Sequence, residues 1–586
     1  MVSSGPSTLP PRLPMGRVRA AALGAMLIVL AVSLVQIMRA DRICSALAGP
    51  PPGQKVHEFT YATDEAYMHL ALARRMALVP PSSDQPWPGA SALAESPSPA
   101  WTLLLAGIIR LTGGEAVPAD PSVHPRIELL APLIINLAMA GLVVMLVGHA
   151  LRFDVRRSSG LFARLLVVAA CMAIPLLVLT GTEHLAHAFV LLLAISVGVE
   201  LIEREHVAAW RLLASMLWMA LAVGLRYESL AVAAALVFWA WIRRRLHRAV
   251  MLALAGIGAA AGIGVYLGTH GQSWVPLPVS MRLADGFGPL AEWGPPAVDR
   301  VVANLREDLF PSALVLITAA MLWARREQQS SPDAEDRIRV GWLFVFLVVG
   351  VVQLLITPGG EHFRYTAYLV PIGAVAILRA LASRPGAKWA PSGPVGLRYA
   401  VMAVFCLVPL VVAAVPAVRA GWFAPGACRK VFVVNRKMAA FVRSCVSEPV
   451  IAGNEAGVLR YETNAQVLDL SVLGARRDFA ESASAARIIL VAGRPGADLK
   501  TLRSWYPAGG WRLPEEGEGC QVTVYAGDQG LLNDVRHGLQ AFEERLCPPG
   551  GEVWYETPSS APGETPQSRP GDEVGDVACE GGKVGK

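Results

Sequence analysis

Five short stretches of this 586-residue chain bring carboxylates, guanidinium groups and imidazoles close together. Thr63-Asp64-Glu65-Ala66-Tyr67 runs on through Met68-His69 to Arg74-Arg75. Gly181-Thr182-Glu183-His184 is followed by His187, and Arg226-Tyr227-Glu228-Ser229 forms a third group. His270 precedes Trp274 and Arg282, and Glu361-His362-Phe363-Arg364-Tyr365 is the fifth. An arginine fork matches phosphate oxygens, and a carboxylate or imidazole takes a proton. Together they suit a phosphate-bearing ligand and a proton transfer. Each group has a structural reading as well. Asp64 and Glu65 suit the first turn of the helix that follows. Glu183, His184 and His187 suit a hydrogen-bonded hairpin, and Arg226 and Glu228 suit each other as an ion pair. His270 reads as structural, and Trp274 as an interfacial anchor.

What must position these groups is apolar. The chain is 54% hydrophobic and 17% charged, against about 25% charged residues in soluble domains. An apolar run at 20–38 follows Arg12, Arg17 and Arg19, and is long enough for a retained spanning helix rather than a cleaved leader. Further apolar runs recur at 127–149, 165–181, 185–202, 208–224, 229–242, 249–267, 311–324, 340–357, 365–381 and 399–418. Each must be helical, because lipid leaves no partner for an open backbone. The expected fold class is a polytopic α-helical membrane protein of about 11 spans. The formal net charge of +6 comes from arginines lying between apolar runs, which excludes a nucleic-acid face and fits loops beside anionic lipid.

Charge orients the spans. With 11 of them, the basic loops Arg152–Arg164, Glu203–Arg211, Arg243–Arg248, Arg325–Arg339 and Arg384–Arg398 all fall on the cytoplasmic side. Residues 1–19 are then cytoplasmic, 20–420 form the membrane domain, and 40–126 are a large first outer loop. This count treats Trp101–Leu111, about half a span, as re-entrant or interfacial. The ionisable groups then gather at the outer ends of the spans. Charges near membrane depth are costly and face a bundle interior or a watery cavity.

From 421 the character changes. Val450-Ile451-Ala452, Val467-Leu468-Asp469-Leu470 and Ile488–Ala492 read as short strands alternating with helices, so 421–547 is expected to be a small extracytoplasmic α/β domain. From Pro548 the chain is rich in Gly, Pro, Ser and Glu, and 548–586 is expected to be disordered. Cys428, Cys445, Cys520 and Cys547 lie in this segment without a CxxC pair, which argues against zinc and leaves one or two disulfides open.

The order of these motifs resembles GT-C superfamily membrane glycosyltransferases, and is similar to bacterial cell-wall arabinofuranosyltransferase-like members. The resemblance is carried by the acidic Asp64-Glu65, the apolar Pro99–Leu105 segment, Thr182-Glu183-His184, Arg226-Tyr227-Glu228, Leu277-Pro278-Val279-Ser280 and Arg364–Leu369. Gly453–Gly457 and Leu468-Asp469-Leu470 extend it into the tail domain, so it covers most of 20–475. Two positions depart from the pattern: many relatives have Asp-Asp or Glu-Asp at Asp64-Glu65, and Pro-Asn-Ser at Pro278-Val279-Ser280. The resemblance implies an inverting transfer, in the bacterial inner membrane, from a polyprenyl-phosphate-linked sugar to a cell-envelope acceptor outside the cytoplasm. It implies Asp64 as the base, with Glu65 second, and Arg226 and Arg364 on the phosphate. Tyr365, Glu183, His184, His187 and Glu228 then line the donor site. It implies no cofactor, with a divalent metal possible. A transporter or flippase of a lipid-linked precursor is the competing class, and a scaffolding membrane protein is a third.

Overall fold

The computed structural model describes residues 14–48, 59–78, 88–113, 127–152, 157–280, 309–326, 334–356, 367–381, 415–446, 450–463, 466–469, 486–492, 506–512, 521–526, 529–545 and 552–555. The apolar runs are helices. α1 is Met15–Ala48, α2 Asp64–Leu78, α3 Pro88–Glu95, α4 Pro99–Leu111 and α5 Ile127–Leu151. α6 is Ser158–Cys171, α7 Ile174–Thr180, α8 His184–Glu203, α9 Ala209–Leu225, α10 Ser229–Ile242 and α11 Leu246–Thr269. α12 is Leu309–Arg326, α13 Ala334–Ile356 and α14 Leu369–Leu381. Among the described residues, five helices are long and apolar enough to cross a membrane, or six if the bent pair α6–α7 counts as one span. Five shorter apolar helices accompany them. The expected run at 399–418 lies largely outside the described residues.

α8 sits at the centre, packed against α5, α9, α10 and α13. It is apolar all round, as a helix enclosed by other helices must be. At the periphery Leu213, Leu217, Leu254 and Ile257 are more than half exposed, an outward face that suits hydrocarbon better than water. The run at 165–181 is broken: α6 and α7 meet at 44°. Ala173 takes the left-handed φ of 49° there, and Pro175 opens α7. Proline removes a helical donor and fixes φ, so the break falls where the backbone can turn before it. α4 has 13 residues, about 20 Å at 1.5 Å per residue. That is short of a bilayer core, as are the equally short apolar helices Ser229–Ile242 and Leu369–Leu381.

A helix over 415–431, here α15, passes through a π-helical turn, Phe432–Arg436, into α16, Lys437–Cys445. The boundary expected at 420/421 therefore falls inside continuous helix. This helix leads into a six-stranded sheet: β1 Val450–Gly453, β2 Gln466–Asp469, β3 Ile488–Ala492, β4 Tyr506–Arg512, β5 Gln521–Ala526 and β6 Glu552–Tyr555. The order is β2-β1-β3-β5-β4-β6. β1 runs parallel to β2 and β3, joined to β2 through the helix α17, Ala456–Glu462; the remaining pairs are antiparallel. α18, Gln529–Arg545, covers the sheet, with Phe542 against Trp511 and Phe441. β6 corrects the expectation of disorder from 548: Glu552–Tyr555 pairs with β4 through Gly509–Arg512. A short Val553-Trp554-Tyr555 segment, whose residues favour strands, extends the open edge. Among the described residues no disulfide joins Cys428 to Cys445; Cys520 and Cys547 lie outside them.

Candidate functional site

The turn between α7 and α8 is the keystone. Gly181 ends α7 with φ +67°, and a Cβ there would strike the Tyr61 ring, so glycine is the residue that closes this turn. The approach to α2 is stitched onto it. The Ala62 amide donates to the Leu179 carbonyl at 2.9 Å, and the Thr63 hydroxyl donates to the Thr180 carbonyl at 3.1 Å. Asn136 of α5 donates to the Thr182 carbonyl at 2.9 Å. These bonds place the first turn of α2 beside Glu183.

Arg226 leaves the end of α9 in extended conformation and reaches across the same space. Its Nη1 donates to Glu183 Oε1 and to His184 Nδ1, both at 3.0 Å. Its Nη2 and Nε hold the two oxygens of Glu228 at 2.8 and 3.4 Å. Glu183 and Arg226 are 1% and 2% exposed, and Glu65 7%. Because a guanidinium cannot accept, His184 Nδ1 is the acceptor. His187 bonds Ser229 Oγ at 2.8 Å, and its ring packs on Tyr368, whose hydroxyl donates to Gln353 at 2.8 Å. A buried guanidinium between two carboxylates replaces the hydration each charge lost.

Adjacent Asp64 faces the other way. Asp64 Oδ1 accepts from Asn435 Nδ2 at 2.9 Å and from the Val458 amide at 2.8 Å, and Oδ2 accepts from the Gly457 amide. Asn435 stands in the π-helical turn and also donates to Glu455 at 3.1 Å. Burial pushes the Asp64 carboxyl above its ordinary range, while hydrogen bonds from Asn435, Val458 and Gly457 pull it down. Around it the tail domain is clamped to α2. Arg74 donates to the Tyr461 carbonyl at 2.9 Å, lies 4.1 Å from the centre of its ring and pairs with Glu128, which accepts from the Tyr461 hydroxyl at 2.7 Å. Arg460 meets Glu95 at 3.3 Å.

Glu65, Glu183, His184, His187, Arg226 and Glu228, drawn from three separate stretches, therefore meet in one region, while the carboxylate of adjacent Asp64 is turned to the tail domain. Arg364 and Tyr365 lie outside the described residues. Sequence reasoning did not assign His69, Asn435, Gly457 or Val458. For His69 a signal existed: it follows Glu65 by four residues, which places both on one helix face. For the others the partner is almost 400 residues away, and local pattern carries no trace of it.

No protein-family model matches the sequence. A selenide, water dikinase of Burkholderia ambifaria is 34% identical over 87 residues, 12% of this chain and 25% of that protein; the chain spans a quarter of that relative's length. Among solved structures the chain is similar to the Archaeoglobus fulgidus oligosaccharyltransferase in its apo form, at TM-score 0.44 and 11% identity over 89% of this chain and 78% of that one. The Archaeoglobus fulgidus oligosaccharyltransferase AglB with an inhibitory peptide and a dolichol-phosphate gives TM-score 0.41 and 12% identity, covering 86% and 74%. ArnT from Cupriavidus metallidurans in the apo state gives 0.37 and 14%, covering 87% and 99%. These neighbours are GT-C superfamily membrane glycosyltransferases. Both the identities and the TM-scores are low, so the functional reading rests on this chain's own residues.

Proposed function

We propose that this chain is an inverting glycosyltransferase. It moves a sugar from a polyprenyl-phosphate donor to a hydroxyl of a cell-envelope acceptor, on the extracytoplasmic face of a bacterial inner membrane. The observation that carries this reading is the lattice of buried Glu183, Arg226 and His184 with half-buried Glu228, beside the neighbouring acids Asp64 and Glu65. Structural burial alone gives little reason to gather four carboxylates, a guanidinium and three imidazoles among apolar spans; perturbed groups of this kind cluster where chemistry is done.

The step balances as follows. The acceptor O–H gives its proton to Asp64, its oxygen bonds to the anomeric carbon, and the bond from that carbon to the phosphate oxygen breaks. Polyprenyl phosphate leaves with the electron pair. A carboxylate offers about four acceptor positions; Asn435, Val458 and Gly457 occupy three on Asp64, and the remaining one on Oδ2 takes the proton. Glu65 is the second candidate base. Arg226 has its donors committed to Glu183, His184 and Glu228, so it positions the acids and lends positive potential, while direct contact with the phosphate falls to Arg364. Tyr365, Glu183, His184, His187 and Glu228 complete the donor side.

Replacing Asp64 with Asn tests this. Asn keeps one oxygen to accept from Asn435 and Val458 and gives up the bond from the Gly457 amide, so two of the three docking bonds stay while the base is removed. Loss of a surface glycan at normal protein abundance is the expected result. Unchanged glycosylation would remove Asp64 from the mechanism.

A further inference from the structure

Asn435 joins two carboxylates that come from opposite sides of the docked tail domain. Its Nδ2 donates to Asp64 Oδ1 at 2.9 Å and to Glu455 Oε2 at 3.1 Å, and the residue is 3% exposed. Both neighbours on that side are acceptors, which assigns the amide nitrogen to it and the amide oxygen to the other. The placement is built into the backbone. Asn435 stands in the π-helical turn Phe432–Arg436, and one extra residue in a turn swings the following face by about 100°. Glu455 occupies the N-cap position of α17, yet its side chain makes no capping bond. Asp64 performs that service from α2, accepting from the Gly457 and Val458 amides, as suits aspartate, a preferred capping residue. The Glu455 carboxylate is turned to Asn435 instead of to its own helix. A neutral amide between two acids also holds them without adding the positive charge that would make Asp64 a weaker base.

We infer that Glu455 is a positioning residue for the base: by holding one N–H of Asn435 it keeps the other on Asp64 Oδ1 and directs the incoming proton to Oδ2. This deepens the proposed function and rests on its assignment of Asp64. Without an acceptor at position 455, the amide can turn over once Asp64 is protonated, and its oxygen then accepts from a proton on Oδ1. That arrangement stabilises the protonated acid and leaves the base occupied. With Glu455 in place, the turned amide would set its oxygen against a carboxylate, where no hydrogen is shared. The other charged groups around Asp64 leave this logic intact. Asp469 of β2 opposes its ionisation. Glu65, beside it on α2, faces His69 and Glu183. Arg436 of the π-helical turn is held by Glu462 of α17 at 2.9 Å.

The test titrates the full-length protein in detergent with acid and follows the C=O stretch of protonated Asp64 by infrared difference spectroscopy. The band is identified by its loss in Asp64→Asn. Glu455→Gln removes a charge but keeps an acceptor for Asn435, so its midpoint is expected at or below that of wild type. Glu455→Ala removes the charge and the acceptor, and its midpoint is expected about one pH unit above that of Glu455→Gln. In an Asn435→Leu background, which has no amide to turn, adding Glu455→Ala is expected to give no such rise. Should Asn435→Leu fail to fold, the Ala and Gln variants of Glu455 decide the matter. Equal midpoints for those two, or the same rise without Asn435, overturn the positioning role and leave Asp64 as the base. A surface glycan retained in Asp64→Asn overturns the assigned base, and the positioning role with it, whatever the band does.

Discussion

The two ends of α8 each bury a glutamate, and they differ in what surrounds it. At the C-terminal end Glu203, 3% exposed, meets Arg243 and Arg337, each at 3.1 Å. Arg248 donates to the carbonyls of Leu201, Ile202, Arg204 and Glu205 nearby. Cations outnumber acids there, and they sit where the helix leaves unpaired carbonyls and partial negative charge. At the N-terminal end the balance is reversed: Glu65, Glu183 and Glu228 surround one arginine, with His69, His184 and His187 close by. An anchor needs its charges neutralised and nothing more. Excess buried acids and imidazoles cost stability, so, among the described residues, their gathering at the N-terminal end of α8 is what the proposed function takes as the mark of a working site.

Substitutions can break this contrast. The largest effect is expected from Arg226→Ala, which leaves Glu183 and Glu228 without their shared partner. A loss of about 3–5 kcal/mol is expected, together with loss of transfer, read as a fall in Tm and in surface glycan. Gly457→Ala comes next. Its Cβ would run into the Asp64 carbonyl and carboxylate, so about 1–3 kcal/mol of overpacking is expected. Loosening of the tail domain from α2 would show as faster proteolysis near 446–450. Glu203→Gln should cost about 1–3 kcal/mol, because Arg243 and Arg337 are partly exposed and regain water, and transfer should be unchanged. Equal loss of transfer from Glu203→Gln and Glu183→Gln would erase the distinction between the ends. Smallest is Asn435→Ala, which removes one of three donors to Asp64 and should cost about 1–2 kcal/mol, measured by thermal unfolding.

Much of this arrangement was legible in the sequence. Charges interrupting apolar runs are expensive, so Glu183-His184 and Arg226-Tyr227-Glu228 identified the hairpins before any coordinates. The short length of Trp101–Leu111 is matched by α4, a 13-residue helix. What stayed hidden depends on rotation about a helix and on distant partners. Asp64 and Glu65 are neighbours in sequence, yet about 100° apart around α2, so one faces the tail domain and the other faces His69 and Glu183. No local pattern predicts that Asn435, Gly457 and Val458 close over Asp64. β6 was missed because four paired residues in a Gly- and Pro-rich stretch give little periodicity to read.

The central claim is that Asp64, beside the acid-rich end of α8, performs transfer while the Glu203 end only fastens the bundle. The most direct test is the surface-glycan profile of cells producing Asp64→Asn and Glu203→Gln at matched membrane abundance. The expected result is a glycan missing with Asp64→Asn and present with Glu203→Gln. A glycan retained with Asp64→Asn, or lost equally with both, would contradict it.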